Sequence, residues 1–276
     1  MNPISFLTSI HALLIDADGT LWQGTEPLPG LIQFFHFLET QQISFQIATN
    51  NSTAPARYYR DRLAGFGVEV GLKHIFTAAQ ATAEYLRQVL EPGSRIYMIG
   101  EDGLREALEE AGFVLLVDSD QSAAAVVVGG DPNLTYSKLK HATLSIQRGA
   151  LFVGTNPDRV FPTEEGLVPE CGTTLAALEA ATGLAPMVIG KPNFRFYERC
   201  LQSMGATAGH TAAVGDRLET DVGGAQSAGL RGILVTTGVD DESAIPAKDI
   251  QPDLIVHSLT ELVVLWENAL QEKLLS

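Results

Sequence analysis

Two aspartates one residue apart, Asp16 and Asp18, end the apolar run Leu13-Leu14-Ile15 and are followed by Gly19-Thr20. In an extended chain alternate side chains share a face, so both carboxylates can point into one site, with Gly19 giving the turn that follows. Close carboxylates repel each other, and a hard divalent cation that takes oxygen ligands resolves the conflict; magnesium is the natural choice. A second apolar run, 45–48, ends in Thr49-Asn50-Asn51-Ser52, just ahead of a helix whose first turn holds Pro55. Hydroxyl, amide and free backbone N–H groups at a helix start suit a phosphate. Gly190-Lys191-Pro192 follows the run 187–189, and the proline bars a helix from starting earlier and fixes where the ammonium emerges. A fourth run, ending at Val214-Gly215, meets Asp216, with Asp221 five positions on. Taken singly, each segment also fits an ordinary solvated turn, helix cap or surface lysine. Four such strand ends in one chain point to one shared site.

The elements that must position these residues are legible as short apolar runs alternating with stretches of helical period, the sign of strands and helices around a largely parallel sheet. Candidate strands are 11–15, 45–48, 96–99, 124–128, 151–153, 187–189, 211–214 and 232–235; candidate helices are 56–64, 79–90, 104–111, 175–181, 194–204 and 221–228. Several helices are expected to end at Gly65, Gly112, Gly183, Gly205 and Gly229, where the chain leaves through a left-handed conformation. The apolar opening, 4–15, lacks a basic start and a small-residue cleavage site and is predicted to be a buried strand. Strand ends of an open α/β sheet are where ligands bind. The chemically suggestive residues fall before 55 and after 187, around a self-sufficient α/β stretch, with no long linker. That distribution predicts a discontinuous core, 1–78 and 187–276, with 79–186 inserted into it.

The whole chain sets the outer bounds. Its 276 residues suggest two domains, and a hydrophobic fraction of 45% gives a full-sized core. Eighteen Lys and Arg against 33 Asp and Glu leave a net charge of −15, which argues against nonspecific binding to nucleic acid or to an anionic membrane. No apolar run approaches the roughly 18 residues of a membrane span, so a cytoplasmic location is expected. Cys171 and Cys200 are too few and too far apart for a disulfide framework or a structural zinc site, and both are expected to be reduced and inert.

In order and spacing, Asp16-Ala17-Asp18-Gly19-Thr20-Leu21-Trp22, Thr49-Asn50-Asn51-Ser52, Gly190-Lys191-Pro192 and Gly215-Asp216 through Thr220-Asp221 resemble the four motifs of the haloacid dehalogenase superfamily. Pro27-Leu28-Pro29-Gly30 and Thr155-Asn156-Pro157-Asp158 extend the resemblance to its subfamily IIA, the NagD-like and nitrophenylphosphatase-like phosphatases. The resemblance implies a Rossmann-like α/β core carrying an inserted α/β cap of type C2. It implies that Asp16 is the nucleophile that accepts a phosphoryl group. Asp18 would be the general acid and then the general base. Mg2+ would be held by Asp16, Asp216 and the main-chain carbonyl of Asp18, with Asp221 acting through water or by orienting Asp216. Thr49, Asn50 and Asn51 would bind phosphate, and Lys191 would offset charge on nucleophile and phosphate. Ala17 replaces a bulkier apolar residue, without consequence if its side chain points away from the site. Asn156, Asp158 and Arg159 are candidates for contact with the leaving group.

The resulting expectation is a magnesium-dependent phosphatase for a small phosphorylated metabolite, with a homodimer through the cap as a family expectation. A phosphomutase or phosphotransferase, in which another hydroxyl intercepts the aspartyl-phosphate, is the alternative enzyme. A non-catalytic phosphate-ligand binding protein is the alternative outside catalysis, but it has no use for Asp18. A dinucleotide-binding oxidoreductase is the weakest alternative, because Gly223, Gly224 and Gly229 lack the required spacing after a strand.

Overall fold

Four successive residues, Ala12–Ile15, are apolar and wholly buried, as a strand must be when it has a neighbour on each side and helices over both faces. It pairs in parallel with Thr211–Gly215 on one side and Ser44–Thr49 on the other. The computed structural model describes residues 5–116, 122–163 and 165–275, and these divide into two compact units.

The first unit comprises the described residues up to Thr49, Arg60–Ile75 and those from Phe194 onward. Its sheet has the strand order Leu254–Val256, Arg231–Val235, Thr211–Gly215, Ala12–Ile15, Ser44–Thr49 and Ile75–Thr77. The centre is thus the strand that carries Asp16 at its carboxyl end. Helix Leu31–Thr40 buries Leu31, Phe34, Phe35, Phe37 and Leu38, and Phe37 meets Trp266 of helix Leu259–Leu275 at 5.5 Å between ring centroids. Burying aromatic area of this kind is the main stabilising term for such a layer.

The second unit comprises Asn50–Tyr59 and Phe76–Asn193. Its own five-stranded sheet runs Met187–Val188, Leu151–Gly154, Ala125–Val128, Arg95–Ile99 and Val114–Leu116, parallel throughout. A separate antiparallel pair joins Val160–Thr163 to Gly166–Pro169. Tyr97, Ile99, Val126, Val128, Ile146 and Leu178 lie within its core. Helix Ala78–Val89 starts with a reciprocal cap in which Thr77 Oγ1 accepts from Gln80 N–H and Gln80 Oε1 accepts from Thr77 N–H.

Three local expectations are corrected. The opening is not one strand: Ser5–Ser9 form a 3-10 turn before the strand begins at Ala12, and Ile4 lies outside the described residues. Ser9 Oγ donates to the Phe6 carbonyl at 2.7 Å, a local bond that competes with extended structure. The stretch 221–228 is not one α-helix but a π-helical turn, Leu218–Gly223, followed by Gly224–Ser227. Helix Ala56–Gly65 continues through Gly65, and the left-handed residue is Gly67, at φ 87°. Among the described residues, no helix is long and apolar enough to cross a membrane.

Candidate active site

Asp16 is the first residue beyond the central strand, its N–H donating to the Val214 carbonyl at 2.8 Å. The chain then turns back on itself. Leu21 N–H bonds the Ala17 carbonyl at 2.9 Å, Gly19 N–H bonds the Trp22 carbonyl at 2.8 Å, and Gly19 takes φ 84°, a conformation a side chain disfavours. Asp16 and Asp18 are half-buried while Ala17 between them is fully buried.

Asp216 lies just past the Thr211–Gly215 strand, next to the central one, and is buried. Its Oδ2 accepts from Val239 N–H at 2.7 Å and its main-chain carbonyl from Asp240 N–H at 3.0 Å. Asp221, on the π-helical turn, is also buried, and its Oδ2 accepts from Arg217 N–H at 3.1 Å. Asp16, Asp216 and Asp221 each bring a carboxylate oxygen within 4.8 Å of the other two. Charges at that spacing repel by on the order of 3 kcal/mol per pair at an effective dielectric of about 20. An all-oxygen donor set of this charge fits a hard divalent cation such as Mg2+. The Asp18 carboxylate is outside this group; its Oδ1 accepts from Trp22 Nε1 at 2.8 Å. Thr49 is buried at the carboxyl end of its strand, beside the central one.

Asp240 was not singled out by the sequence. It is buried and its carboxylate accepts from Leu218 N–H at 2.8 Å and from Lys248 Nζ at 2.9 Å to each oxygen. It thereby ties the loop after Arg231–Val235 to the turn that carries Asp221. Burial would lower the Lys248 pKa, but hydrogen bonds and charges from Glu219 and Asp240 outweigh it and hold the ammonium above its ordinary range.

The remaining candidates lie in the second unit. Lys191 is buried, and its carbonyl accepts from Asn50 Nδ2 at 3.0 Å. The same amide nitrogen donates to Asp158 Oδ2 at 3.1 Å. Asn156 is 1% exposed, with Nδ2 donating to the Asn50 carbonyl at 2.8 Å and Oδ1 accepting from Asp158 N–H at 3.0 Å. Its side chain is thus committed inside the unit, which leaves it no open face for the leaving-group contact expected of it. Asn51 Oδ1 accepts from Thr53 N–H at 3.0 Å and Thr53 Oγ1 at 2.7 Å, shaping a local turn. Arg159 is exposed. Gly190 is required by close approach: a Cβ there would lie 2.5 Å from the Thr155 carbonyl and 2.7 Å from Asn50 Oδ1. Both cysteines are free and buried, and burial pushes the Cys171 thiol up to about 12, consistent with inertness.

Residues 13–114 match the haloacid dehalogenase-like hydrolase family, and residues 188–262 match a second, HAD-hydrolase-like description. The chain is 35% identical over 252 residues to an acid sugar phosphatase of Staphylococcus aureus, covering 91% of this chain and 96% of that protein. The structure of a 4-nitrophenylphosphatase from Thermotoga maritima superposes with a TM-score of 0.87 at 33% identity, over 94% of this chain and 98% of that one. A glycerol phosphate phosphatase from Mycobacterium tuberculosis in complex with magnesium gives a TM-score of 0.84 at 33% identity, over 93% and 77%. Membership therefore rests on the parallel core and its strand-end acids as much as on sequence identity: the chain belongs to the haloacid dehalogenase-like hydrolase family.

Proposed function

We propose that the protein is a magnesium-dependent phosphatase that hydrolyses a small phosphomonoester through an aspartyl-phosphate on Asp16. The observation that carries this reading is the triad of carboxylates, Asp16, Asp216 and Asp221, gathered within 4.8 Å at the carboxyl end of a parallel sheet, where a phosphate ester can meet a nucleophile. Mg2+ held by Asp16, Asp216, Asp221 and the Asp18 carbonyl would supply the positive charge that lets an anionic ester approach an anionic nucleophile. An Asp16 carboxylate oxygen forms the new bond to phosphorus as the ester oxygen leaves. Asp18 gives its proton to that oxygen, then takes one from the water that attacks the aspartyl-phosphate, releasing inorganic phosphate and restoring both acids. The Thr49 hydroxyl and the N–H groups of Asn50 and Asn51 hold phosphoryl oxygens, and the Lys191 ammonium offsets their charge.

Substrate choice belongs, in this reading, to an inserted cap at 79–186, with Asp158 and the exposed Arg159 as candidates. The names of the relatives, a sugar phosphatase and a glycerol phosphate phosphatase among them, favour a small phosphorylated sugar or polyol. The test is Asp16→Asn assayed for phosphate release over a panel of metabolite phosphomonoesters, with and without magnesium. Loss of roughly 10³-fold or more with an unchanged melting temperature is expected, and substantial residual turnover overturns the assignment.

A further inference from the structure

Asp240 grips both arms that carry the acids. Its N–H donates to the Asp216 main-chain carbonyl at 3.0 Å. Its Oδ2 accepts at 2.8 Å from the N–H of Leu218, the first residue of the π-helical turn on which Asp221 stands. Asp240 is 6% exposed, and a carboxylate so buried costs stability unless a cation meets it. That cation is Lys248, whose Nζ lies 2.9 Å from each Asp240 oxygen. The same ammonium reaches Glu219 Oε2 at 2.5 Å, and Glu219 follows Leu218 on the turn. Lys248 thus closes a ring that runs from Asp240 to Leu218, along the chain to Glu219 and back through the ammonium. Its own place is fixed by packing. It ends the short helix Ile245–Lys248, and Ile245 packs against the buried cluster of Leu218, Val222 and Leu234. Apolar contact seats the helix on the turn, while the ammonium ties the turn to the loop that holds Asp216.

We propose that Lys248 is a positioning residue for the metal site: bonded at once to Asp240 and Glu219, it holds the Asp216 and Asp221 arms at the spacing the ion needs. The inference rests on the Mg2+ role given to these acids in the proposed function and deepens it. The triad gathers its oxygens within 4.8 Å against their mutual repulsion, so a tie between the arms preorganises the site. Without the ammonium, the Asp240 carboxylate is better solvated by water than by the interior, and as it turns outward it releases Leu218 N–H. The turn, and Asp221 with it, then loses a tie to the Asp216 loop. In this role Lys248 touches neither ion nor substrate, and no proton moves. The sign of the effect separates position from charge. A cation beside the acids repels Mg2+ through space, so deleting it tightens binding if charge alone matters. Deleting it weakens binding if Lys248 holds the arms in place.

The test is calorimetric titration of Mg2+ into the full chain, stripped of metal with a chelator and kept well below its melting temperature. Lys248→Met, which keeps most of the stem and removes the charge, is expected to weaken binding on the order of tenfold, the lower end of what losing a residue that orients a metal ligand costs. Lys248→Arg, whose guanidinium can bridge two carboxylates, is expected to restore it to within about threefold of wild type. If Lys248→Met fails to fold, Lys248→Gln is read in its place. It keeps a donor for Asp240 but neither the charge nor the second arm, and should weaken binding about threefold to tenfold. A purely structural lysine lowers the melting temperature of the metal-free chain and leaves Mg2+ affinity unchanged; that result overturns the proposal. Tighter binding in the neutral variant overturns it as well, since charge alone would then act. So does a loss that Lys248→Arg shares in full. Asp216→Asn keeps failure of this proposal apart from failure of the proposed function: if that variant binds Mg2+ as wild type does, the metal assignment falls, and the role of Lys248 with it.

Discussion

Asp216 sits in a collar with no space for another carbon. A Cβ built on Gly238 or on Gly19 would overlap the Asp216 carboxylate, with Oδ2 the nearest atom in both cases. The two glycines serve different needs. Gly19 also takes φ 84°, so a side chain there is strained by about 1–2 kcal/mol before any clash. Gly238 is required by proximity, since the Val239 N–H next to it is what holds Asp216 Oδ2. Gly238→Ala is therefore expected to rotate the Asp216 carboxylate out of the triad and to weaken Mg2+ binding at least about tenfold, or 1.4 kcal/mol, measured by calorimetric titration. Gly65 is the control. A Cβ on it meets nothing within 4 Å and the residue is helical, so Gly65→Ala should leave Mg2+ affinity unchanged and raise stability by roughly 0.5 kcal/mol. Equal losses of affinity in both variants would refute the collar.

At the scale of elements, the carboxyl-terminal strands of the first sheet are joined by an acid whose charge matters. Asp253 accepts from Gly232 N–H at 2.8 Å, Gln226 Nε2 at 3.1 Å and Arg231 Nη1 at 2.7 Å, tying the chain just before Leu254–Val256 to Arg231–Val235. Burial alone would raise its pKa, but these donors and the Arg231 charge outweigh it and hold the carboxyl below the ordinary 3.8. A depressed folded-state pKa contributes stability that is present above the unfolded value and is lost as pH falls through the folded value. Asp253→Asn should thus cost about 1 kcal/mol or less at pH 7, given how exposed the ion pair is. In urea unfolding, the difference from wild type should shrink toward zero below pH 3.8; a pH-independent difference would show that the charge is not involved. The same layer shows how far sequence could be read. Apolar runs ending in acid at Asp16 and Asp216 were legible because a buried parallel strand is a local pattern, and its end is where side chains reach solvent. Helix Leu31–Thr40 escaped notice because Phe34-Phe35-His36-Phe37-Leu38 is apolar almost without interruption and carries no clean period. The partners that orient the acids, Trp22 for Asp18 and Val239 and Asp240 for Asp216, were not legible. Their pairing depends on a hairpin and on a loop 23 residues away in sequence, and a backbone N–H leaves no mark on residue type. The side-chain amides of Asn50 and Asn156 are committed to carbonyls within the second unit, partners that residue type does not announce.

On the scale of the whole molecule, the second unit has what an independent domain requires. All five strands of its sheet lie within Phe76–Asn193, as do the residues of its core from Tyr97 to Val188. The cap that starts its first helix, Thr77 with Gln80, falls inside the same stretch. A fragment 76–193 would lose only Asn50–Tyr59 from the unit. Those residues supply the Thr53 carbonyl to Gly103 N–H at 2.9 Å, Ser52 Oγ to Thr155 Oγ1 at 3.1 Å and Arg57 to Glu106. The last is an exposed pair worth little. Losing the first takes the acceptor from the buried Gly103 N–H, at about 1–3 kcal/mol; Thr155 Oγ1 keeps Cys171 Sγ and Asn156 Nδ2, and the Lys191 carbonyl and Asn156 amide lose Asn50 as well. A parallel sheet with a complete apolar core can bear that loss where one whose strands came from both segments could not. Fragment 76–193 should accordingly show helical far-ultraviolet dichroism and a single cooperative urea transition with a slope of roughly 1–3 kcal/mol/M, at a midpoint below that of the full chain. A broad transition without cooperativity would mean that Asn50–Tyr59 is integral to the fold of the unit, and that the chain leaves and re-enters it because neither segment folds without the other.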